Sequence, residues 1–400
     1  MSTRSAALPA AGQLTLVDPP LIDHHCHGVV SGPLDDRQVE ALLTEASGPP
    51  PPGTSRFNSQ LGFAVRRWCA PLLELEPSAP AAQYLERRAE LGPDRVTRRM
   101  LRAAGVKAWL VDTGYQAQRL LTPDQLAQAS GAPAYEIVRL EAVAEQVARG
   151  GAGAGTFAAL FAEALWTATA SAAGVKSIVA YRYGLDFDPG RPSAAAVRDA
   201  AGRWLRALDV GVATRLEDPV LLRQLIWTGV DTGLPLQFHT GFGDPDVRLH
   251  RADPSLLHDF LLATRPAGVP VMLLHCYPYH RQAGHLASVF PHVYMDVGEA
   301  LNHVGARSAA VLAEALELTP FTKMLYSSDA FGLPELHYLA AAGFRRDLAQ
   351  VTSAFVADGA WSQADAERVA HLIASENARR VYRLPAKPLE QSSRAERRTD

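Results

Sequence analysis

The stretch Leu-Ile-Asp-His-His-Cys-His at residues 21–27 begins apolar and ends in polar, metal-ligating side chains. On a β-strand, side chains two residues apart point to the same face, about 6.7 Å apart along the backbone. His25 and His27 therefore share one face of a predicted strand, whereas His24 and Cys26 share the other. The pattern predicts a buried strand whose end presents two imidazoles that could bind one metal ion.

Seven further apolar runs resemble this first one, and several are entered through Gly or Pro, as is typical of buried parallel strands. Helical patterns such as FAALFAEALWTATASAAG (157–174) separate them. This alternation predicts an α/β fold, a (β/α)8 TIM barrel, although periodicity alone also allows an open doubly wound sheet. The predicted strands are 21–27, 106–114, 135–143, 175–182, 234–241, 269–276, 293–299 and 323–330.

The stretch 28–105 is too long for one crossover between strands. It contains the turn sequence GPPPPG (48–53) and arginine-rich helical patterns. We predict a helical insertion after the first strand that forms a wall or lid over the barrel mouth, with a plain surface excursion as the alternative. The whole of 1–384 is predicted to form a single barrel domain. The polar residues 385–400 are predicted to be a disordered tail.

The composition excludes several classes of protein. The chain has 400 residues, a formal net charge of −3, 48% hydrophobic and 20% charged residues, which is the balance of a globular enzyme. Near-neutral charge argues against binding nucleic acid or a membrane surface. Three cysteines without CxxC spacing and no secretory or membrane-spanning stretch favour a cytoplasmic location. Homo-oligomers are common among barrel enzymes, but no interface is identifiable.

Three later strand ends also carry metal-ligating groups. His239 ends LPLQFH, His275 ends VMLLH and Asp329 ends KMLYSSD, each just before a loop containing Gly or Pro. Unpaired buried polar groups cost several kcal/mol each, so core packing alone does not explain this order. We predict that these residues gather with His25 and His27 around a divalent cation. Zinc suits histidine-rich ligation, and manganese or iron would also be accepted.

The order of HxH, two later single histidines and a final Asp resembles the amidohydrolase superfamily of metal-dependent barrel hydrolases. The stretches FHTGFGDPD, LLHCYPYHRQAGHLA, PHVYMDVG and LYSSDAFGLPELHYLAA are similar to the amidohydrolase-2 group, in particular to the domain found fused to glutamine-synthetase-like proteins. The resemblance runs from about residue 20 to Leu384. It implies that His25, His27 and His239 bind metal, that His275 binds a second metal or polarises substrate, and that Asp329 is ligand and proton shuttle.

Lys176 decides the predicted number of ions. In some superfamily members a lysine on the fourth strand becomes a carbamate that bridges two metals, and the resemblance implies this role for Lys176. The alternative from the residues alone is a buried ion pair with Glu141 or Asp112. The prediction is therefore a centre of one or two divalent ions.

Four residues near the predicted mouth are candidates for substrate binding. The stretch from Lys176 to Tyr181 resembles the hydantoinase branch, in which that tyrosine contacts substrate. An arginine at the mouth would bind a substrate carboxylate through two parallel hydrogen bonds, which makes Arg182 and Arg281 candidates. Pairing of these arginines with Asp186 or Asp244 is the alternative. His280 is a further candidate for the pocket, whereas we expect solvated or capping roles for His303 and His337.

Together these features predict an enzyme that acts on a small molecule. The leading hypothesis is hydrolysis of an amide-type C–N bond in a carboxylate-bearing substrate, with a γ-glutamyl amide suggested by the fusion partner of the related domains. Metal-activated water would attack, His275 would stabilise the developing charge and Asp329 would relay the proton. The alternative is a metal-dependent non-oxidative decarboxylase of an aromatic acid. A catalytically inactive scaffold is a third hypothesis, which retention of all five ligand positions disfavours.

Overall fold

The computed structural model describes residues 19–385, and a parallel seven-stranded sheet lies at its centre. The strands follow one another in chain order, each hydrogen-bonded in parallel to the next. The predicted α/β class and the first seven predicted strands are confirmed. The strands are β1 Leu21–Cys26, β2 Val106–Asp112, β3 Ala134–Arg139, β4 Gly174–Ser177, β5 Leu236–His239, β6 Val271–Leu274 and β7 Val293–Met295.

The prediction of an eighth regular strand over 323–330 is wrong. This segment nevertheless lies between the two edges of the sheet, because Leu325 N donates to Met295 O (3.0 Å) on β7 and Asp329 N donates to His25 O (3.0 Å) on β1. A regular ladder fails for two reasons. The amide of Ser328 donates to the Asp23 carboxylate instead of to a backbone carbonyl (3.0 Å), and Asp329 has the left-handed φ of 46°.

Two predicted strands end earlier than expected. Residues 140–143 begin a helix that follows β3, and residues 179–182 form a short helix after β4. Glu141 explains the early end of β4, because its carboxylate accepts hydrogen bonds from Ser177 Oγ (2.7 Å) and Ile178 N (3.0 Å) and turns the chain there. Tyr181 and Arg182 consequently project from a helix and not from a strand.

Helices cover the outside of the sheet. A typical example begins at Phe157, and its residues Phe157, Phe161 and Leu165, spaced four apart, are buried against the strands. The helices are α1 Asp36–Ala41, α2 Gln60–Ala64, α3 Ala81–Leu91, α4 Pro93–Ala104, α5 Pro123–Ser130, α6 Leu140–Arg149, α7 Phe157–Ala168, α8 Val179–Arg182, α9 Ala194–Asp209, α10 Pro219–Asp231, α11 His258–Thr264, α12 His280–Val289, α13 Ala300–Val304, α14 Ser308–Ala315, α15 Pro334–Ala357, α16 Gln363–His371 and α17 Asn377–Val381.

The connection between β1 and β2 carries α1 to α4 and has its own apolar core, which packs against the start of α15. A buried ion pair joins the two parts, since Arg88 Nε lies 2.7 Å from Glu335 Oε1. Tyr84 also donates to this carboxylate (3.2 Å). Glu335 occupies the first turn of α15, where a negative charge is favoured by the helix dipole.

Two predictions concern the ends and the surface of the chain. The predicted tail 385–400 lies, apart from Pro385, outside the described residues. Between residues 19 and 385, no helix is both long enough and apolar enough to cross a lipid bilayer.

Candidate metal centre

The end of β1 presents two imidazoles on one face, as the strand period predicts. His25 and His27 are buried, and their ring centroids lie 5.3 Å apart. His24 points to the other face, where its Nε2 lies 2.9 Å from the carboxylate of Asp296. Because His27 Nδ1 lies 3.2 Å from the carbonyl oxygen of Asp112, this nitrogen must carry the proton, which leaves the lone pair of Nε2 available.

Asp329 lies among these imidazoles and that of His275. Its carboxylate oxygens are 2.9 Å from His25 Nε2, 3.5 Å from His27 Nε2 and 3.3 Å from His275 Nε2. His239, at the end of β5, completes the group, since its ring centroid lies 4.9 Å from that of His275. The structure therefore brings together all five residues that the sequence analysis predicted, although they come from four separate segments of the chain. We call these five residues, together with Lys176, the inner cluster.

The backbone at two of these positions is strained. His275 and Asp329 have φ values of 68° and 46°, in the left-handed region that costs an L-residue about 1–2 kcal/mol. Asp296 holds His275 in place, because its carboxylate accepts hydrogen bonds from His275 N (2.9 Å) and Gly298 N (2.8 Å). Asp296 is a positioning residue that the sequence analysis missed, although its place at the end of β7 gives the same signal as the predicted ligands.

Lys176 is buried inside the inner cluster. Its Nζ lies 2.8 Å from His25 Nε2 and 3.5 Å from Asp112 Oδ2, whereas Glu141 bonds to Ser177 and Ile178 instead. Of the two alternative partners considered from the sequence, the structure thus selects Asp112. Burial lowers the pKa of Lys176, and Asp112 opposes this with a smaller effect. The uncharged amine is therefore more populated at a given pH than in an exposed lysine.

Burial also sets the charge of the histidines. It lowers the pKa of His25 to about 3, that of His275 to about 4 and that of His239 well below its ordinary value. These imidazoles are therefore neutral near pH 7, the state in which they bind metal. Burial alone would raise the pKa of Asp329, but the imidazoles of His275, His25 and His27 hold it well below its ordinary value, so Asp329 is a carboxylate.

The donor set fits a divalent cation. In the described part of the chain, His239 Nε2 is buried without a hydrogen-bond partner, and His275 Nε2 and Asp329 Oδ1 are buried without a well-aligned hydrogen bond despite the short contacts given above. Buried polar atoms without partners are rare in folded proteins unless a ligand satisfies them. Nitrogen and oxygen atoms of His25, His275 and Asp329 lie within 4.8 Å of one another, which is close enough to share one ion.

The inner cluster opens into a pocket of about 400 Å³. Its volume is suited to a small-molecule substrate. Residues of the β1–β2 connection form part of its wall. The lining includes His27, Leu42, Thr44, Glu45, Tyr115, Arg139, Lys176, Tyr181, Arg182, His239, Asp244, Glu299, His303, Asp329 and Phe331.

Comparison with known proteins identifies the family. A family model described as amidohydrolase matches residues 22–384 of this chain. The chain belongs to the amidohydrolase family. A presumed metal-dependent hydrolase from Lactobacillus casei of known structure is 29% identical, with a TM-score of 0.80 over 92% of this chain and 96% of that protein. The protein is thus an enzyme of the metal-dependent hydrolase type.

Two other relatives of this amidohydrolase are informative about sequence and fold. Protein fluG of Emericella nidulans is 29% identical over 410 residues, which cover 92% of this chain and 46% of fluG, so the chain spans about half the length of that relative. Uronate isomerase from Thermotoga maritima is 14% identical with a TM-score of 0.56, over 91% of this chain and 95% of the isomerase. At this low sequence identity, the similarity to the isomerase shows a shared fold and nothing about activity.

Two of the four predicted substrate-binding residues of this amidohydrolase line the pocket. Tyr181 lies against His239, with 4.4 Å between the ring centroids. Arg182 is also in the lining, and its ion-pair partner is Glu145 (3.4 Å), which is neither Asp186 nor Asp244, the acids considered as alternative partners from the sequence.

The prediction for His280 and Arg281 is wrong. His280 Nε2 lies 2.8 Å from Glu314, and Arg281 pairs with Glu317 (2.9 Å) on the outer side of the sheet. Both residues fall in the first turn of α12, and neither is part of the pocket lining. A loop separates the end of β6 from the start of α12. The nearness of these two residues to β6 in the sequence therefore did not place their side chains at the pocket mouth.

The sequence analysis missed two groups of pocket residues. Arg139, at the end of β3, donates two hydrogen bonds to Asp112, which is itself in contact with Lys176. Burial would raise the pKa of Asp112, but Arg139 and Lys176 together hold it well below its ordinary value. Arg139 lies within the predicted strand 135–143, a signal that could have identified it, whereas Asp112 was considered from the sequence only as a partner of Lys176.

The second missed group consists of Glu45, Glu299 and His303, which we call the outer cluster. Their ligand atoms lie within 4.8 Å of one another, and all three residues line the pocket. Burial lowers the pKa of His303 to about 4, and burial with the nearby carboxylates of Asp329 and Asp244 raises that of Glu45 to about 7. The expectation of a solvated or capping role for His303 is therefore wrong, as it is for His337, which is buried and contacts the carbonyl oxygen of His27 (3.0 Å).

Proposed function

We propose that this amidohydrolase cleaves an amide-type C–N bond of a small, carboxylate-bearing substrate. The observation that carries the proposal is the inner cluster. It combines neutral imidazoles with one ionised carboxylate, and within the described residues several of its buried atoms make no well-aligned hydrogen bond. It lies at the base of a pocket whose lining also includes arginine side chains. Acyl transfer to water needs such a combination of cation ligands, a proton acceptor and an anchor for the substrate.

The proposed metal ligands are His25, His27, His239, His275 and Asp329, with Lys176 close enough to contribute to a second ion. Zinc is the ion that we propose first, because histidine nitrogen predominates among the donors, and manganese or iron also fit mixed histidine and aspartate sets. A divalent ion bound there would supply Lewis acidity, both toward a substrate carbonyl and toward water.

Asp329 is the proposed proton carrier. Its carboxylate is ionised and 12% exposed, and its Oδ1 lies 2.9 Å from His25 Nε2. A carboxylate in this state can accept a proton from water and then deliver it to the leaving nitrogen, which must be protonated before it departs as an amine. His275, whose Nε2 lies 3.3 Å from Asp329, is placed to stabilise charge that develops on the carbonyl oxygen.

Arg182 is the proposed anchor for the substrate carboxylate. It lines the pocket, its single ion pair to Glu145 is long at 3.4 Å, and its Nε is buried without a hydrogen-bond partner in residues 19–385. A guanidinium with unused donors binds a carboxylate strongly. Within this class we propose γ-glutamyl amides first, because the sequence resembles domains that are fused to glutamine-synthetase-like partners.

The chemical state of Lys176 sets the number of ions in this proposal. Reaction of its uncharged amine with CO2 would form a carbamate with loss of one proton, and the lowered pKa favours the amine that this reaction needs. Nuclear magnetic resonance with 13C-labelled CO2 tests this step. A carbamate resonance that is absent from Lys176→Gln, together with two zinc ions per chain, supports the bridge, whereas one ion and no resonance excludes it.

A substrate screen tests the proposed function. The zinc-loaded enzyme is offered γ-glutamyl amides, N-acyl amino acids and hydroxybenzoates, and release of amine is measured beside release of CO2. We expect amine release, lost in Asp329→Asn. CO2 release from hydroxybenzoates without any amine release would replace the proposal by the decarboxylase alternative.

A further inference from the structure

The outer cluster places two carboxylates beside a neutral imidazole, outside the inner cluster but in the same pocket. Glu45 belongs to the β1–β2 connection, Glu299 follows β7, and His303 lies on α13. His303 Nε2 is 3.8 Å from Glu45 Oε1. No part of the proposed hydrolytic chemistry uses these three residues, so the pocket contains a second group of polar side chains that needs an explanation.

Glu299 shows that the outer cluster is built and not accidental. The residue is only 8% exposed, and its Oε2 is buried without a hydrogen-bond partner in the described part of the chain. Its backbone has the left-handed φ of 52°, and its amide donates to Ser328 O (3.0 Å), next to Asp329. The protein therefore keeps an unpartnered carboxylate oxygen at a strained position, which it would not do for packing alone.

No cationic side chain of the described residues neutralises this charge, and burial together with Glu45 and Asp329 raises the pKa of Glu299 well above its ordinary value. Within residues 19–385, no Lys or Arg lies within 4.0 Å of the carboxylate of Glu45 or Glu299, and the contact of Glu45 with His303 is to an imidazole that is neutral near pH 7. The side chain of Glu45 is 40% exposed, whereas Glu299 is buried. A buried carboxylate beside a second carboxylate is costly unless a proton or a cation lies between them. A bound cationic group would supply the missing positive charge and the missing hydrogen-bond donors at once.

Two of the arginines that line the pocket lie on its other side, and a third, Arg215, is paired with Asp246. Arg139 ends β3 and Arg182 lies on α8, directly after β4, whereas Glu299 follows β7. The segment 323–330 forms hydrogen bonds to both β7 and β1, so it occupies an eighth position between the two edges of the seven-stranded sheet. In this ring of eight positions, β3 and β7 are four positions apart and face each other. The pocket thus has a cationic side, an anionic side and the inner cluster at its base.

We propose that the outer cluster binds the ammonium group of the substrate, so that the substrate is a zwitterionic amide with a carboxylate at the arginines and an ammonium at Glu45 and Glu299. This inference rests on the proposed function and narrows its substrate class. An ammonium group has three N–H donors in a tetrahedral arrangement, and two carboxylates with one neutral imidazole offer three acceptors for it.

A set of chromogenic amides that differ by one group at a time tests the inference in catalysis. L-γ-glutamyl-p-nitroanilide carries both charges, glutaryl-p-nitroanilide lacks only the ammonium, and 4-aminobutyryl-p-nitroanilide lacks only the carboxylate. For the zinc-loaded enzyme we expect kcat/KM to fall by about tenfold or more when the ammonium is removed, as for loss of a charged hydrogen-bonded contact. Equal kcat/KM for the first two compounds overturns the inference.

A binding measurement tests it independently of turnover. Calorimetric titration of the zinc-loaded protein compares L-glutamate with glutarate, which differ by the same ammonium group. We expect L-glutamate to bind about tenfold more tightly. Glu45→Gln and Glu299→Gln should each reduce this ratio toward one, whereas Asp246→Asn, a change at the pocket rim outside the outer cluster, should preserve it. A ratio of one in the wild type, or a ratio unchanged in both glutamine variants, overturns the inference.

Metal analysis separates the ammonium from a metal ion at the same place. An unchanged zinc content in Glu45→Gln supports the inference, whereas loss of one ion per chain shows that the outer cluster is a metal site and overturns it. The proposed function and the inference also fail differently. If the protein binds L-glutamate more tightly than glutarate but hydrolyses no amide, only the proposed function is refuted. If it hydrolyses amides but does not distinguish compounds with and without the ammonium group, only the inference is refuted.

Discussion

The inner and outer clusters of the pocket differ in how the chain builds them. The inner residues His25, His239 and Lys176 lie on strands, where the direction of each side chain follows from the two-residue period. The outer residues Glu45 and Glu299 lie in connections, and Glu299 has a left-handed backbone. Residues on a strand or at the end of an apolar run, such as His275 and Asp329, can therefore be identified from sequence even where the backbone is left-handed, whereas residues inside a connection cannot.

The two clusters also differ in charge balance. The inner cluster combines neutral imidazoles, one lysine and the carboxylate of Asp329, and Asp112 contacts the lysine from outside the cluster. The outer cluster has two carboxylates and one neutral imidazole. The inner cluster is therefore suited to a resident divalent ion, and the outer one to a positive group that arrives with the substrate.

Replacement of a single inner imidazole should have the largest effect. In His25→Ala we expect zinc affinity to fall by more than about a hundredfold, since even residues outside the ligand shell cost 10–100-fold. Amide hydrolysis should fall by about a thousandfold or more, because the reaction needs the ion. Metal analysis and amine release measure the two effects.

The exposed His285 provides the matched control. His285→Ala should retain zinc and activity, and circular dichroism should show both variants folded. A folded His25→Ala protein with the zinc content of the wild type would exclude the inner cluster as the metal centre.

The charge network behind the inner cluster should contribute mainly to stability. Asp112 is fully buried between Arg139 and Lys176, so Asp112→Asn leaves the buried guanidinium of Arg139 without its counter-ion and removes a carboxylate from beside Lys176. Loss of one partner of a buried pair costs about 3–5 kcal/mol. Urea denaturation should show this decrease in the free energy of unfolding, and a change below about 1 kcal/mol would show that water replaces the carboxylate.

Removal of the metal should reduce stability by a smaller amount. A ligand present at a hundred times its dissociation constant stabilises the folded state by about 2.7 kcal/mol. Chelation should therefore lower the melting temperature of the wild type and of Glu45→Gln equally, because the outer cluster holds no resident ion in our proposal. A smaller decrease in Glu45→Gln would instead indicate that Glu45 contributes to metal binding.

The smallest expected effect concerns the pH dependence of stability without metal. The pKa of Glu45 is raised from 4.5 to about 7, so the folded state holds this proton more tightly than the unfolded state. Stability from Glu45 is present below about pH 4.5 and is lost as the pH rises to about 7. Relative to wild type, Glu45→Gln should therefore be more stable at pH 8 than at pH 5.

The inner cluster should show the opposite dependence. The pKa of His275 is lowered from 6.5 to about 4, so its contribution to stability is present above pH 6.5 and is lost as the pH falls toward 4. Denaturation from pH 5 to 8 measures both slopes. Glu163→Gln on the exposed side of α7 is the control and should differ from wild type by a constant amount. If the difference in stability between Glu45→Gln and wild type is also independent of pH, the raised pKa of Glu45 is refuted.

Much of the fold followed from the sequence alone. Short apolar runs separated by helical patterns located seven strands correctly, because burial on both faces requires a continuous apolar run. The eighth predicted segment, 323–330, lies where predicted but is irregular. The side chain of Asp23 takes the place of a backbone acceptor there, and a hydrogen bond between residues 305 positions apart leaves no trace in local periodicity.

The candidate site divides in the same way. Sequence determined that His25, His27, His239, His275 and Asp329 would share one edge of the sheet, because parallel strands bring their carboxyl ends together. Tertiary structure alone decided that Lys176 contacts His25, that Arg281 turns to Glu317 and that Glu45 meets Glu299. The physical reason is range: strand period and burial act over a few residues, whereas contacts between connections depend on the path of the whole chain.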